Sequence, residues 1–196
     1  MDQPNKKLHG HSKDTDIKTF SVPSGLEKLK ENISISTDTS SKSSKKQIIN
    51  QAIKFHLQGD ISDAIKYYQY CINQGCNDHR VFSNYGVILR TLGKLKEAEL
   101  SQRKAIELNP DYANAHSNLG TTLQDLGKLH EAELSQRKAI ELNPDLAIAH
   151  SNLGNVLRIL GKLKEAELFT RKAIALNPRL AEAHNNLGII FKDLGR

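Results

Sequence analysis

A chain of 196 residues with 38% hydrophobic content, no tryptophan and five phenylalanines has too thin a core for a large compact globule. Its net charge of +6, set among 26% charged residues of both signs, is weaker than the dense basic stripe of a nucleic-acid reader. No run reaches the roughly 20 apolar residues that a membrane-spanning helix needs.

The opening stretch, MDQPNKKLHGHSKD, has no apolar h-region, so no secretory signal and a cytoplasmic placement are expected. Cys71 and Cys76 read accordingly as reduced thiols, because no second ligand cluster accompanies them. Residues 1–44 are rich in Ser, Thr, Lys and Asp and bury too little to offset their ordering entropy, so a disordered segment is expected. Within it, Ser24 and Glu27 have capping-box spacing, and Leu26, Leu29 and Ile33 share one face of a short helix. The Ser40–Lys46 run reads as a solvated linker.

The remainder, residues 45–196, is organised by a period. Leu92–Asp111 returns 34 positions later as Leu126–Asp145 with a single change, Lys96 to His130, and again as Leu160–Arg179. A unit of this length cannot bury its own apolar face, so stacked neighbours must supply the contacts and an all-α solenoid follows. Ser101, Gln102 and Lys104 recur as Ser135, Gln136 and Lys138, at positions expected to face water, which points to recent duplication.

Residues 45–78 form a degenerate first unit, with Ile48, Ala52 and Phe55 on one stripe and Ala64, Tyr68 and Cys71 on the next. Cys76 stands where later units place proline. Units 79–112, 113–146 and 147–180 are regular helix–turn–helix pairs. In the middle one His116, Leu119, Gly120 and Leu123 line the first helix, and Gly127 stops it. Leu129, Ala132, Leu134, Ala139, Ile140 and Leu142 supply the second helix, and Asn143–Pro144 ends it. Glu99–Arg103, Glu133–Arg137 and Glu167–Arg171 are i,i+4 pairs that brace a wet face. Residues 181–196 repeat only a first helix, leaving Leu187, Ile190, Phe191 and Leu194 without a covering partner. Either that helix is an unusual cap, or the chain is expected to be the front part of something longer.

The units resemble the tetratricopeptide repeat family. Its pattern of a large residue, Leu-Gly, a further large residue, spaced alanines and a closing proline stands here as His116, Leu119, Gly120, Leu123, Ala132, Ala139 and Pro144. It returns at Phe82, Tyr85, Gly86, Leu89, Ala98, Ala105 and Pro110, and at His150, Leu153, Gly154, Leu157, Ala166, Ala173 and Pro178. Histidine departs from the usual first-helix aromatic, and Gln102, Gln136 and Thr170 depart from the second-helix aromatic that Tyr68 keeps, which loosens the expected packing. The resemblance implies a right-handed superhelix whose first helices line a concave, peptide-binding groove. The array is also similar to repeats that precede sulfotransferase or glycosyltransferase domains, and to those of O-linked N-acetylglucosamine transferase, so a substrate-targeting arm is the alternative function.

By that resemblance Asn84, Asn118, Asn152 and Asn186 face the groove. A carboxamide donates and accepts at once, so a ladder of them could hold an extended backbone of any sequence. Repeats advance about 10 Å, roughly three extended residues at about 3.3 Å each. The competing reading is that these amides bond locally and fix the register of the repeats. Arg90, Gln124, Arg158 and Lys192 lie farther along the same face, and their three cations would favour an acidic ligand. The two-carboxylate clamp of chaperone-binding relatives is not expected, because Ser83, Ser117, Asn118 and Asn152 occupy its cationic positions. His116, His150 and His184 recur too far apart to share a zinc ion and are expected as half-buried structural residues. Glu97 and Glu99 lie two apart and do not face each other. With no phosphate loop, nucleophile elbow or ligand cluster, neither an enzyme nor a cofactor is expected. The expected partner is a protein or peptide. Single-stranded nucleic acid is the weakest reading, since the regular units lack groove aromatics for stacking.

Overall fold

The computed structural model describes residues 41–196. The expected disordered segment up to residue 40, with its Ser24–Ile33 helix, lies outside the described residues. The Ser40–Lys46 run is helical from Ser41 onward, where a linker was expected.

Nine helices are present among the described residues: α1 Ser41–Leu57, α2 Ile61–Asn73, α3 His79–Thr91, α4 Leu95–Leu108, α5 Ala113–Asp125, α6 Leu129–Leu142, α7 Ala147–Ile159, α8 Leu163–Leu176 and α9 Ala181–Asp193. They pair as α1/α2, α3/α4, α5/α6 and α7/α8, and each second helix packs on the first helix of the next unit. This is an α-solenoid of helix–turn–helix repeats.

Two turn chemistries repeat along it. At the end of α5, Gly127 takes φ 75°, which L residues rarely adopt, and the Lys128 amide donates to the Leu123 carbonyl at 2.8 Å. Second helices end at Asn109, Asn143 and Asn177, held extended by the following proline. Each of those asparagines accepts through Oδ1 from the amide two residues on, at 3.1–3.2 Å.

The recurring histidines belong to the same turns. Nε2 of His116, His150 and His184 donates to the carbonyl of Pro110, Pro144 and Pro178 at 2.8, 2.8 and 2.9 Å. A carbonyl only accepts, so the ring nitrogen carries the proton. In the unit where Phe82 replaces histidine, Cys76 replaces proline, so donor and turn change together.

The contact between paired helices runs through a glycine. Gly86, Gly120 and Gly154 are roofed by Gln102, Gln136 and Thr170, and all six are buried. This corrects the sequence reading twice. Ser101, Gln102 and Gln136 do not face water: they lie at the helix–helix crossing, so packing does constrain them. Nor is Gln136 a loose substitute for an aromatic ring, because Nε2 donates to the Ser117 carbonyl at 2.9 Å and Oε1 accepts from the Ser117 hydroxyl at 3.0 Å.

The second helices contradict a further expectation. Leu134, named among the apolar residues that supply the second helix, is 68% exposed, and its equivalents Leu100 and Leu168 are 61% and 65% exposed. The preceding glutamate turns inward instead. Glu133 is buried, accepting from Arg137 at 2.8 Å and from Lys162 of the next unit at 2.8 Å. Glu99 likewise meets Arg103 and Lys128, and Arg103 and Arg137 reach on to Glu131 and Glu165. The expected i,i+4 pairs are therefore rungs of a network that crosses repeats. Each exposed rung contributes at most about 1 kcal/mol.

Candidate functional site

Successive first helices touch, α3 on α5, α5 on α7 and α7 on α9, whereas successive second helices are joined mainly by long side chains. Closer spacing on the first-helix side makes that side the inner face of the curve. The four asparagines lie there, half-buried, one per unit.

Asn118 Nδ2 donates to the Ser83 hydroxyl at 3.1 Å. Asn152 Nδ2 donates to Thr121 Oγ1 at 3.2 Å and lies 3.5 Å from Ser117 Oγ. Asn186 Nδ2 reaches Ser151 Oγ at 3.2 Å and the Ser151 carbonyl at 3.4 Å. Asn84 adjoins Tyr68, whose phenol is pushed up to about 12 by burial, against the opposing pull of the Asn84 side chain. Three amides thus tie each first helix to the one before it. Their Oδ1 atoms accept no hydrogen bond among the described residues.

The charged positions behave differently from a free cationic track. Arg90 Nη1 meets Asp125 at 3.0 Å, and Arg158 Nη1 meets Asp193 at 3.2 Å. Arg158 also donates to Asn155 Oδ1 at 3.3 Å. Gln124 and Lys192 have no side-chain partner among the described residues. Two of the three cations on this face are neutralised within the array.

These contacts share an offset that sequence reading missed. The asparagine–serine and arginine–aspartate contacts all join residues 35 apart. One residue beyond the period is the step that sets a side chain beside the next first helix. A search for complementary pairs at that spacing would have found Asp125 and Asp193.

The groove therefore offers amide oxygens and paired charges, with Val87, Thr121 and Ile189 half-buried beside them, while the serine hydroxyls that hold the amides are buried. No group of three or more His, Cys, Asp or Glu that could hold a metal ion occurs among the described residues. No helix there is long and apolar enough to cross a membrane.

Two family models match this region, one described as tetratricopeptide repeat over residues 111–179 and one as TPR repeat over residues 86–127. Among solved structures, the chain resembles a crystal structure of MamA protein at 23% identity and TM-score 0.64, covering 77% of this chain and 82% of that one. It also resembles the first repeat domain of Spaghetti (RPAP3) bound to the HSP90 peptide SRMEEVD, at 27% identity and TM-score 0.57, covering 61% and 94%. The Arabidopsis OM64 TPR domain matches at 23% identity and TM-score 0.56, covering 59% and 95%. No curated protein matches. Period, helix pairing and both models agree that residues 86–179 are a tetratricopeptide-repeat array.

Proposed function

We propose that this chain is a protein-interaction scaffold holding an extended polypeptide along its first helices. The observation that carries the reading is the half-used amide: in Asn118, Asn152 and Asn186 one N–H fixes the repeat and Oδ1 remains for a ligand N–H. Backbone recognition of this kind is tolerant of ligand sequence. Support comes also from a similar repeat domain that holds a peptide, SRMEEVD. With Arg90 and Arg158 already paired, a preference for acidic residues is confined to the α9 end, near Lys192.

The test is to pan random phage-displayed peptides on the full chain and titrate selected peptides into isotope-labelled protein. The expected result is perturbation of the side-chain amide signals of Asn118, Asn152 and Asn186. Perturbation confined to α4, α6 and α8, or no peptide selected above background, refutes the reading.

A further inference from the structure

The last residues of the first helices α3, α5, α7 and α9 are Thr91, Asp125, Ile159 and Asp193. Asp125 and Asp193 each pair with the preceding first helix, through Arg90 at 3.0 Å and Arg158 at 3.2 Å. Thr91 turns back on its own helix and donates to the Val87 carbonyl at 3.1 Å. Ile159 breaks the pattern, because it is apolar and 43% exposed. Its exposure is not that of an edge, since α7 is an interior helix with α5 on one side and α9 on the other. The 35-residue step that joins arginine to aspartate elsewhere runs here from Gln124 to Ile159, an amide and a hydrocarbon side chain. Folding does not demand an isoleucine there, because aspartate fills the equivalent place in α5 and α9.

Ile159 is also placed to serve the groove. It follows Asn152 by seven residues on α7, and at about 3.6 residues per turn the two share a face, about 10 Å apart. Asn155 lies between them, with Oδ1 already held by Arg158 Nη2 at 3.3 Å. The aspartates on either side of Ile159 are each held by an arginine, so no bare charge faces it.

We infer that Ile159 and the Gln124 side chain form a slot for one long apolar side chain of an extended polypeptide from another protein. This rests on the reading of the first-helix face as a peptide groove, and the same ligand occupies both. Asparagines that hold backbone give no preference for sequence; the slot supplies one. A leucine, methionine or phenylalanine side chain on a backbone bonded to Asn152 reaches Ile159, whereas alanine or serine leaves the gap open. A charged side chain would lose hydration against the isoleucine without gaining an unpaired partner.

The test pans random phage-displayed peptides in parallel on the full 196-residue protein and on its Gln124→Arg/Ile159→Asp variant, which copies the Arg90–Asp125 pair. The variant should keep the circular dichroism of the parent. Peptides selected on the parent are expected to share leucine, methionine or phenylalanine at one position, with nuclear Overhauser contacts from that side chain to the Ile159 methyl groups. Replacing it by serine, or presenting the same peptide to the variant, should weaken binding at least about tenfold. Equal affinity for parent and variant, or a selected pool without the apolar position, overturns the inference. If those peptides still perturb the amides of Asn118, Asn152 and Asn186, the groove reading survives it. Selection of no peptide, or perturbation confined to α4, α6 and α8, overturns both. Overhauser contacts from the Ile159 methyl groups to residues 1–40 without peptide would assign the slot to this chain and overturn the inference as well.

Discussion

Replacing Gly120 by alanine adds one methyl group, and its cost follows from what stands over it. The new Cβ would lie 2.5 Å from Gln136 Nε2, 2.9 Å from Cδ and 3.0 Å from Cγ, so Gln136 must move. Moving it breaks both of its bonds to Ser117 in a fully buried site. Each bond is worth about 0.5–1.5 kcal/mol, and forced repacking adds about 1–3 kcal/mol. Alanine returns about 0.8–1 kcal/mol of helix propensity. The balance is a loss of about 3 kcal/mol. Gly188→Ala is the internal control: the same change in an equivalent helix, with nothing within 4 Å, should stabilise by about 0.5–1 kcal/mol. Urea unfolding followed by far-ultraviolet circular dichroism separates them. With a slope of about 1–3 kcal/mol/M, the Gly120→Ala midpoint should fall by on the order of 1–3 M while that of Gly188→Ala rises slightly. Adding Gln136→Ala to Gly120→Ala removes the obstruction and should recover part of the loss. Equal midpoints for the two single variants would refute the glycine-roof reasoning.

Three further outcomes follow from other contacts. His150→Ala removes the bond to Pro144 and the stacked contact with Phe169, and should cost about 2 kcal/mol by the same unfolding assay. In Glu133, the hydrogen bond from Lys162 outweighs burial and, with Arg137, holds the carboxyl below its ordinary value. That contribution is present above the ordinary glutamate range and is lost as pH falls through the depressed folded value. Glu133→Gln should therefore cost up to about 1 kcal/mol at neutral pH, a difference that closes on acidification, and one that persists at low pH contradicts the assignment. Burial, with Cys76 beside it, pushes the Cys71 thiol up to about 12, so disulfide reagents at pH near 8 should label it only on unfolding. Immediate labelling of the folded chain would show that the first unit opens.

The repeat length, the helices, and the Gly and Asn-Pro turns could be read from residues alone, because each is a local property. A glycine after an apolar stripe stops a helix whatever lies nearby, and proline bars helix at the residue before it. The asparagine series was legible for the same reason, since a period marks equivalent positions. What each equivalent position touches was not. The rotation of one helix pair against the next decides whether a neighbour sits 34 or 35 residues away, and only that step brings Arg90 to Asp125 and Asn118 to Ser83. It also decides that Glu133 turns inward to Lys162 while Leu134 faces out, against ordinary hydrophobic ordering. Periodicity fixes which residues are alike. The side on which each is buried depends on packing angles between elements, and these are set by the glycine-floored crossings acting together across neighbouring units.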